Sequence, residues 1–238
     1  AGSNGAAGIG GKNGESTKNI TIEGYATVDA AGGGNGAGIG GGGGDGATYC
    51  VSGNAENIII QGHSKVTASA RNGAAIGGGS ASGSGSYYSG GSARNIVIRD
   101  HATVVAKNTG SGAAIGAASG GNGEVTIGTD GATAEKEDVH VTATGCRGAA
   151  IGDGGKDTKV TIQGHATIRT ASTVNFVAIG SENGNVEVTI KDNAAIDTED
   201  TAFGGNSSTS SSAIGGVTMD SSADRKVVVT IDGGTNGK

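Results

Sequence analysis

The chain has 238 residues, 51 of them Gly, with no Pro, no Trp and no Leu. That composition excludes collagen, which needs Gly at every third position together with Pro, and a helical domain, where each Gly costs about 1 kcal/mol relative to Ala. A net charge of −6 without a basic stripe excludes nucleic-acid binding, which requires clustered Lys and Arg, and no run reaches the roughly 20 apolar residues of a membrane span. Disorder is the alternative left for so polar a chain, and the spacing of the apolar residues decides it.

Along the chain, the first recurring element is two small residues followed by Ile-Gly. Its Ile is residue 9, 39, 76, 115, 151, 179 and 214, at intervals of 30, 37, 39, 36, 28 and 35. After each comes an alternating β-branched segment: Ile20-Thr21-Ile22, Ile58-Ile59-Ile60, Ile96-Val97-Ile98, Val125-Thr126-Ile127, Val160-Thr161-Ile162, Val188-Thr189-Ile190 and Val229-Thr230-Ile231. A third alternating segment follows a tight turn and is centred on Val28, Val66, Val104, Val141, Ile168 and Ile196. Period-2 alternation of β-branched residues is a strand signal. Three short strands in each of seven repeats predict an all-β fold: a right-handed parallel β-helix (β-solenoid) of about seven coils, with residues 1–238 as one domain.

Equivalent strands of successive coils would stack about 4.8 Å apart. The predicted inward columns are Ile9 to Ile214, Ile22 to Ile231 and Val28 to Ile196. Neighbouring coils would bury these residues for one another, which removes the disorder alternative. If the Ile of the first strand points inward, then Gly8, Gly38, Ala75, Ala114, Ala150, Ala178 and Ala213 are expected to point outward as a bare face. The Asn-Gly pairs at Asn35, Asn72, Asn122 and Asn183 are expected to form turns. Asn19, Asn57 and Asn95 read as an amide ladder, continued in later coils by Glu124, Lys159 and Glu187. Tyr25, His63, His101, His165 and Asn193 share one turn and read as a polar ladder in preference to a metal site.

The run Gly36-Ala37-Gly38-Ile39-Gly40-Gly41-Gly42, with Asn19-Ile20-Thr21-Ile22, resembles the glycine-rich repeat regions of large bacterial secreted or cell-wall-anchored surface proteins. The general pattern looks like right-handed parallel β-helices of the pectate-lyase type. The resemblance implies an extracellular, secreted or cell-wall-attached module, excised from a larger surface protein.

Chemistry is sparse. The loops between the first and second strands of coils 2 and 3, residues 41–56 and 78–94, are long and carry three of the four Tyr residues. Tyr49, Tyr87 and Tyr88 with Arg94 are the candidate ligand-binding residues, because Tyr rings stack on sugars and Arg bonds their hydroxyls. Coil 4 carries a separate insertion, residues 128–138, expected to be a solvated loop. No cofactor is expected. Asp153, Asp157 and Glu182 are weak Ca2+ candidates, since hard cations take oxygen ligands. Cys50 and Cys146 fall in different coils, too far apart for a disulfide, and are expected to be unpaired.

No catalytic constellation stands out, so the expected role is adhesion, or binding of a glycan or host ligand, without catalysis. A polysaccharide lyase or glycoside hydrolase of the β-helix type is the alternative. Three or more carboxylates in one groove beside a Lys, Arg or His would favour it. Ice binding is a minor alternative, since it needs a regular Thr array and the outward column Thr21, Ile59, Val97, Thr126, Thr161, Thr189 is mixed.

Overall fold

The computed structural model describes residues 2, 4–45, 51–82, 89–134, 136–153, 155–172, 177–181, 183–200, 213–216 and 226–233. They form a right-handed parallel β-helix of about seven coils with three strands each. The first sheet is made of very short strands, from Ile9–Gly10 through Ile39–Gly40, Ile76–Gly77 and Ile115–Gly116 to Ile214–Gly216. The second runs from Thr17–Ile22 to Val227–Gly233, and the third, six-stranded, from Thr27–Ala31 to Ala195–Asp200. All pairings are parallel, and the apolar columns stack as the repeats imply, Ile on Ile in the first sheet and Ile22 in line with Ile60, Ile98 and Ile127 in the second.

The predicted inward columns form the core. Ile39, Ile76, Ile115, Ile151 and Ile179 are fully buried, as are Ile60, Ile98, Ile127 and Ile162. Burial weakens at the end coils, with Ile9 37% and Ile231 71% exposed. This is the expected behaviour of a stack in which each coil is covered only by its neighbours.

The small-residue column is not a bare outer face. Gly38, Ala75, Ala114, Ala150 and Ala178 are buried, and Ala75, Ala114 and Ala150 belong to the main core. The alternation expected of an extended strand fails because the chain folds back at once. The Ala37, Ala74 and Ala113 amides donate to the carbonyls four residues ahead at 2.9–3.0 Å. Backbone from the third sheet then packs where an outward side chain would go: a Cβ on Gly38 would lie 2.8 Å from the Ser69 oxygen.

The Gly of the Ile-Gly motif has a stricter role than a turn. Gly10, Gly40, Gly77, Gly116, Gly152, Gly180 and Gly215 all have φ between +126° and +140°, which L side chains rarely adopt. In Gly116 an added Cβ would lie 1.9 Å from the Gly152 oxygen of the next coil. That oxygen accepts the Ala117 amide at 2.9 Å, so successive coils meet backbone to backbone along this column.

The asparagine ladder exists in coils 1–3. Asn19, Asn57 and Asn95 sit at φ 53–60°; the Asn57 amide donates to Asn19 at 2.7 Å and the Asn95 amide to Asn57 at 2.9 Å. It is not continued by Glu124. Ala93 pairs with Gly123 and Ile96 with Val125, so Arg94 and Asn95 together face the single residue Glu124. Coils 1–3 carry a bulge at this point that later coils lack. Lys18, Glu56 and Arg94 are in line with one another before the bulge ends, and Glu124, Lys159 and Glu187 are in line after it.

Candidate ligand-binding site

The long loops of coils 2 and 3 leave the first strand at the same corner, and their stems stack. Gly44–Asp45 pairs in parallel with Ala81–Ser82, and Val51 bridges Ser89. The Ser52 hydroxyl donates to the Ser89 carbonyl. Glycine makes this stacking possible, because the loop bases approach backbone to backbone. The Gly42 amide donates to Glu15, Gly53 to Gly42, Gly79 to Gly53, Gly91 to Gly79 and Ala118 to Gly91, all at 2.7–3.2 Å. This staircase climbs through the outgoing and returning limbs of both loops. It joins the bases of the two predicted binding loops into one rigid platform. Tyr49, Tyr87, Tyr88, Cys50 and Glu182 lie outside the described residues.

Beyond the platform the connections of coils 4–6 are short, and the start of the second sheet opens into a groove of about 640 Å3. Its walls carry Glu124, Lys159 and Glu187 on one side and Asp157, Asn185 and Lys226 on the other. The second set is a ladder. Asp157 Oδ1 accepts the backbone N–H of Asn185 at 2.9 Å and its side-chain N–H at 3.0 Å, and Asn185 Oδ1 accepts the Lys226 amide at 3.0 Å. Asp157, one of the weak Ca2+ candidates, is thus one rung of a hydrogen-bonded corner ladder. Asp153 closes the strand Ile151–Asp153. Among the described residues no three His, Cys, Asp or Glu side chains gather as a metal site.

Arg94 is exposed at the first position after the coil 3 loop stem, paired in register with Glu56. It stands in line with Lys18 and Glu56, and after the bulge Glu124, Lys159 and Glu187 form a second row of alternating sign. Lys18 and Glu56 are 2.8 Å apart and Lys159 and Glu187 3.2 Å apart. The Lys18 ammonium holds the Glu56 carboxyl below its usual range, by hydrogen bond and by charge, and Arg94 adds a smaller pull. Alternation avoids the repulsion of like charges one coil apart, about 1 kcal/mol in water at 4.8 Å.

At the corner between the second and third strands, the rings of Tyr25, His63 and His101 stack at 4.9 and 4.7 Å between centroids, and Asn193 contacts His165 Nε2 at 3.2 Å. The coil 4 rung of this ladder is Asp138, not a His: its amide donates to Asp100 O at 2.8 Å, as His101 donates to Gly62 O and Asn193 to Gly164 O. Asp138 in turn pairs with His140 at 3.1 Å.

The insertion before it is exposed over most of its described residues, as expected, but it is tethered to the corners of coils 5 and 6. Asp192 Oδ2 accepts the Gly131 and Gly164 amides at 3.1 and 3.0 Å, Lys191 pairs with Asp130 at 2.6 Å, and the buried Glu137 accepts the His165 amide at 3.3 Å. The Gly164 and Gly131 amides, in that order, hold the Asp192 carboxyl below its ordinary value, with smaller help from Lys191 and His165.

Sequence reasoning placed Arg94 and Asp157 separately, and the structure puts both along the starting edge of the second sheet. It missed the groove, because the groove arises from a change in connection length between coils and no residue type marks it. Cys146 is a free thiol. Among the described residues no helix is long and apolar enough to cross a membrane. No protein-family model matches the chain, and it matches no curated protein and no solved structure.

Proposed function

We propose that the chain is a non-catalytic module of a bacterial surface or secreted protein, working outside the cell in adhesion by binding a glycan or host ligand. The observation that carries this reading is the rigid platform under the two Tyr-bearing loops, set beside a groove lined by hydrogen-bonding side chains. The groove volume falls within the usual range for a ligand site. Its ladders offer one polar rung per coil, a regular row suited to an extended chain of sugars. A glycan array run on the wild type and on the Tyr49→Ala/Tyr87→Ala/Tyr88→Ala variant tests it. Saccharide capture by the wild type and loss in the variant are expected; equal capture by both removes the loops from the site.

A second reading is supported by the groove itself, since Glu124, Asp157 and Glu187 line it with Lys159 and Lys226. That is the carboxylate grouping a β-helix polysaccharide-degrading enzyme would use. Two of the three carboxylates are engaged, Glu187 by Lys159 and Asp157 by Asn185, which is why binding is preferred. Release of new chain ends from an acidic polysaccharide by the wild type, abolished in Asp157→Asn, would reverse that preference.

A further inference from the structure

The groove at coils 4–7 runs along the stacking direction. Residues on one wall fall in register from coil to coil: Glu124 on Lys159, Lys159 on Glu187, and Glu187 on Val228 of the seventh coil. Three coil steps of about 4.8 Å make this row about 14 Å long. On the other wall Asp157, Asn185 and Lys226 repeat with the same step, each side-chain oxygen accepting the backbone amide of the next rung. The groove therefore offers a series of positions at a fixed interval instead of one centre.

The bonding capacity left at each position decides what can lie there. Among the described residues the Glu124 carboxylate has no hydrogen bond or ion pair, and Asp157 has Oδ2 free, because both of its bonds use Oδ1. Asn185 keeps one side-chain N–H, and the Lys226 ammonium has no partner among the described residues. Lys159 and Glu187 neutralise one another at 3.2 Å. From coil 4 to coil 7 the spare groups are thus two acceptors followed by two donors. A hydroxyl both donates and accepts, so it can answer all four, whereas an ionised acid only accepts. A ligand with an acid on every unit would also meet Glu124 and Asp157 as like charges. Val186 and Val228 add apolar surface for the C–H faces of sugar rings.

We propose that the groove takes an uncharged glycan lying along the rod, one sugar per coil over the four coils that line it, with diequatorial linkages of the β-1,4 kind. Such a linkage carries the chain straight through each pyranose, so every unit advances by about one ring, close to the coil step of about 4.8 Å. An axial linkage bends the chain and loses the register after the first rung. The proposal rests on the glycan-binding reading and narrows it to a class set by charge, linkage and length. It also separates the two parts of the site: the groove reads the body of the chain, and the loops of coils 2 and 3 stand beyond its coil 4 end.

The test is calorimetric titration of the full chain with β-1,4-linked manno- and gluco-oligosaccharides of two to six units, and with β-1,4-linked mannuronate oligosaccharides. Mannuronate keeps the mannose ring and linkage and replaces the hydroxymethyl group by a carboxylate. At least one neutral series is expected to bind, with affinity rising up to about four units and level beyond. Mannuronate of equal length is expected to bind at least tenfold more weakly at low salt, where charge repulsion is least screened. Glu124→Gln keeps an acceptor and removes the charge. It is expected to leave neutral binding within twofold and to improve mannuronate binding at least threefold, with circular dichroism matching the wild type. Failure of both neutral series to bind, mannuronate bound as tightly as the neutral sugars, an affinity flat from two to six units, or discrimination unchanged by Glu124→Gln would each overturn the proposal. If the wild type still captures other saccharides on the glycan array, the broader reading survives that failure; an array with no capture at all removes both.

Discussion

Gly116 offers a way to separate backbone strain from coil-to-coil collision. Its φ is +132°, and a Cβ there would lie 1.9 Å from the Gly152 oxygen and 2.8 Å from the Gly152 carbonyl carbon. Holding an L residue in this conformation costs about 1–3 kcal/mol. The Gly152 oxygen must also retreat, which breaks its bond to the Ala117 amide. Leaving buried donor and acceptor unsatisfied adds about 1–3 kcal/mol. Gly116→Ala should therefore cost about 2–6 kcal/mol in all. Gly24 is the control, with φ +69° and nothing within 4 Å of an added Cβ; Gly24→Ala should cost only the left-handed penalty of about 1–2 kcal/mol. Urea unfolding followed by circular dichroism measures both. Equal losses would refute the collision argument and reduce the glycine column to a matter of φ alone.

Two other predictions concern the core and the insertion. Ile115→Asp should abolish the folded rod, since a fully buried position would receive an unpaired charge. Ile231→Asp, at a position 71% exposed, should cost less than about 1 kcal/mol; comparable melting temperatures for the two would sink the column assignment. Asp192 has a depressed folded pKa, so its contribution is present above the ordinary carboxylate value and is lost as pH falls through the lower folded one. At neutral pH Asp192→Asn should loosen the insertion, seen as faster amide exchange at Gly131 and Gly164. Below the folded pKa the two proteins should exchange alike. A difference that persisted in acid would point to packing instead of charge.

Most of the scaffold was legible in the residues because a parallel solenoid repeats the same local problem in every coil. Ile115 and its equivalents could be assigned inward from period and recurrence alone. The exceptions share one cause. Ala75 and Gly38 were expected outside because period-2 reasoning assumes an extended strand, and theirs lasts only two residues before the chain folds back. Glu124 was aligned with Asn95 because a bulge adds a residue without changing the surrounding pattern. The insertion at 128–138 reads as a charged loop, and only its partners two coils away in Asp192 and Lys191 reveal a strap. For the candidate site, Arg94 and Asp157 were visible as chemistry, whereas the groove that Asp157 lines was not.

By itself the amino-acid sequence determined the architecture: seven coils, three parallel sheets, and an Ile and Val interior. It could do so because stacking in register turns a sequence period directly into a spatial column. The tertiary structure alone decided what lies between columns. The loop platform, the groove, the end of the bulge and the two rows of alternating charge depend on how loops and registers of different coils fall against one another. Those are distances between residues about 30 to 60 positions apart, set by parallel stacking and carried by no local pattern.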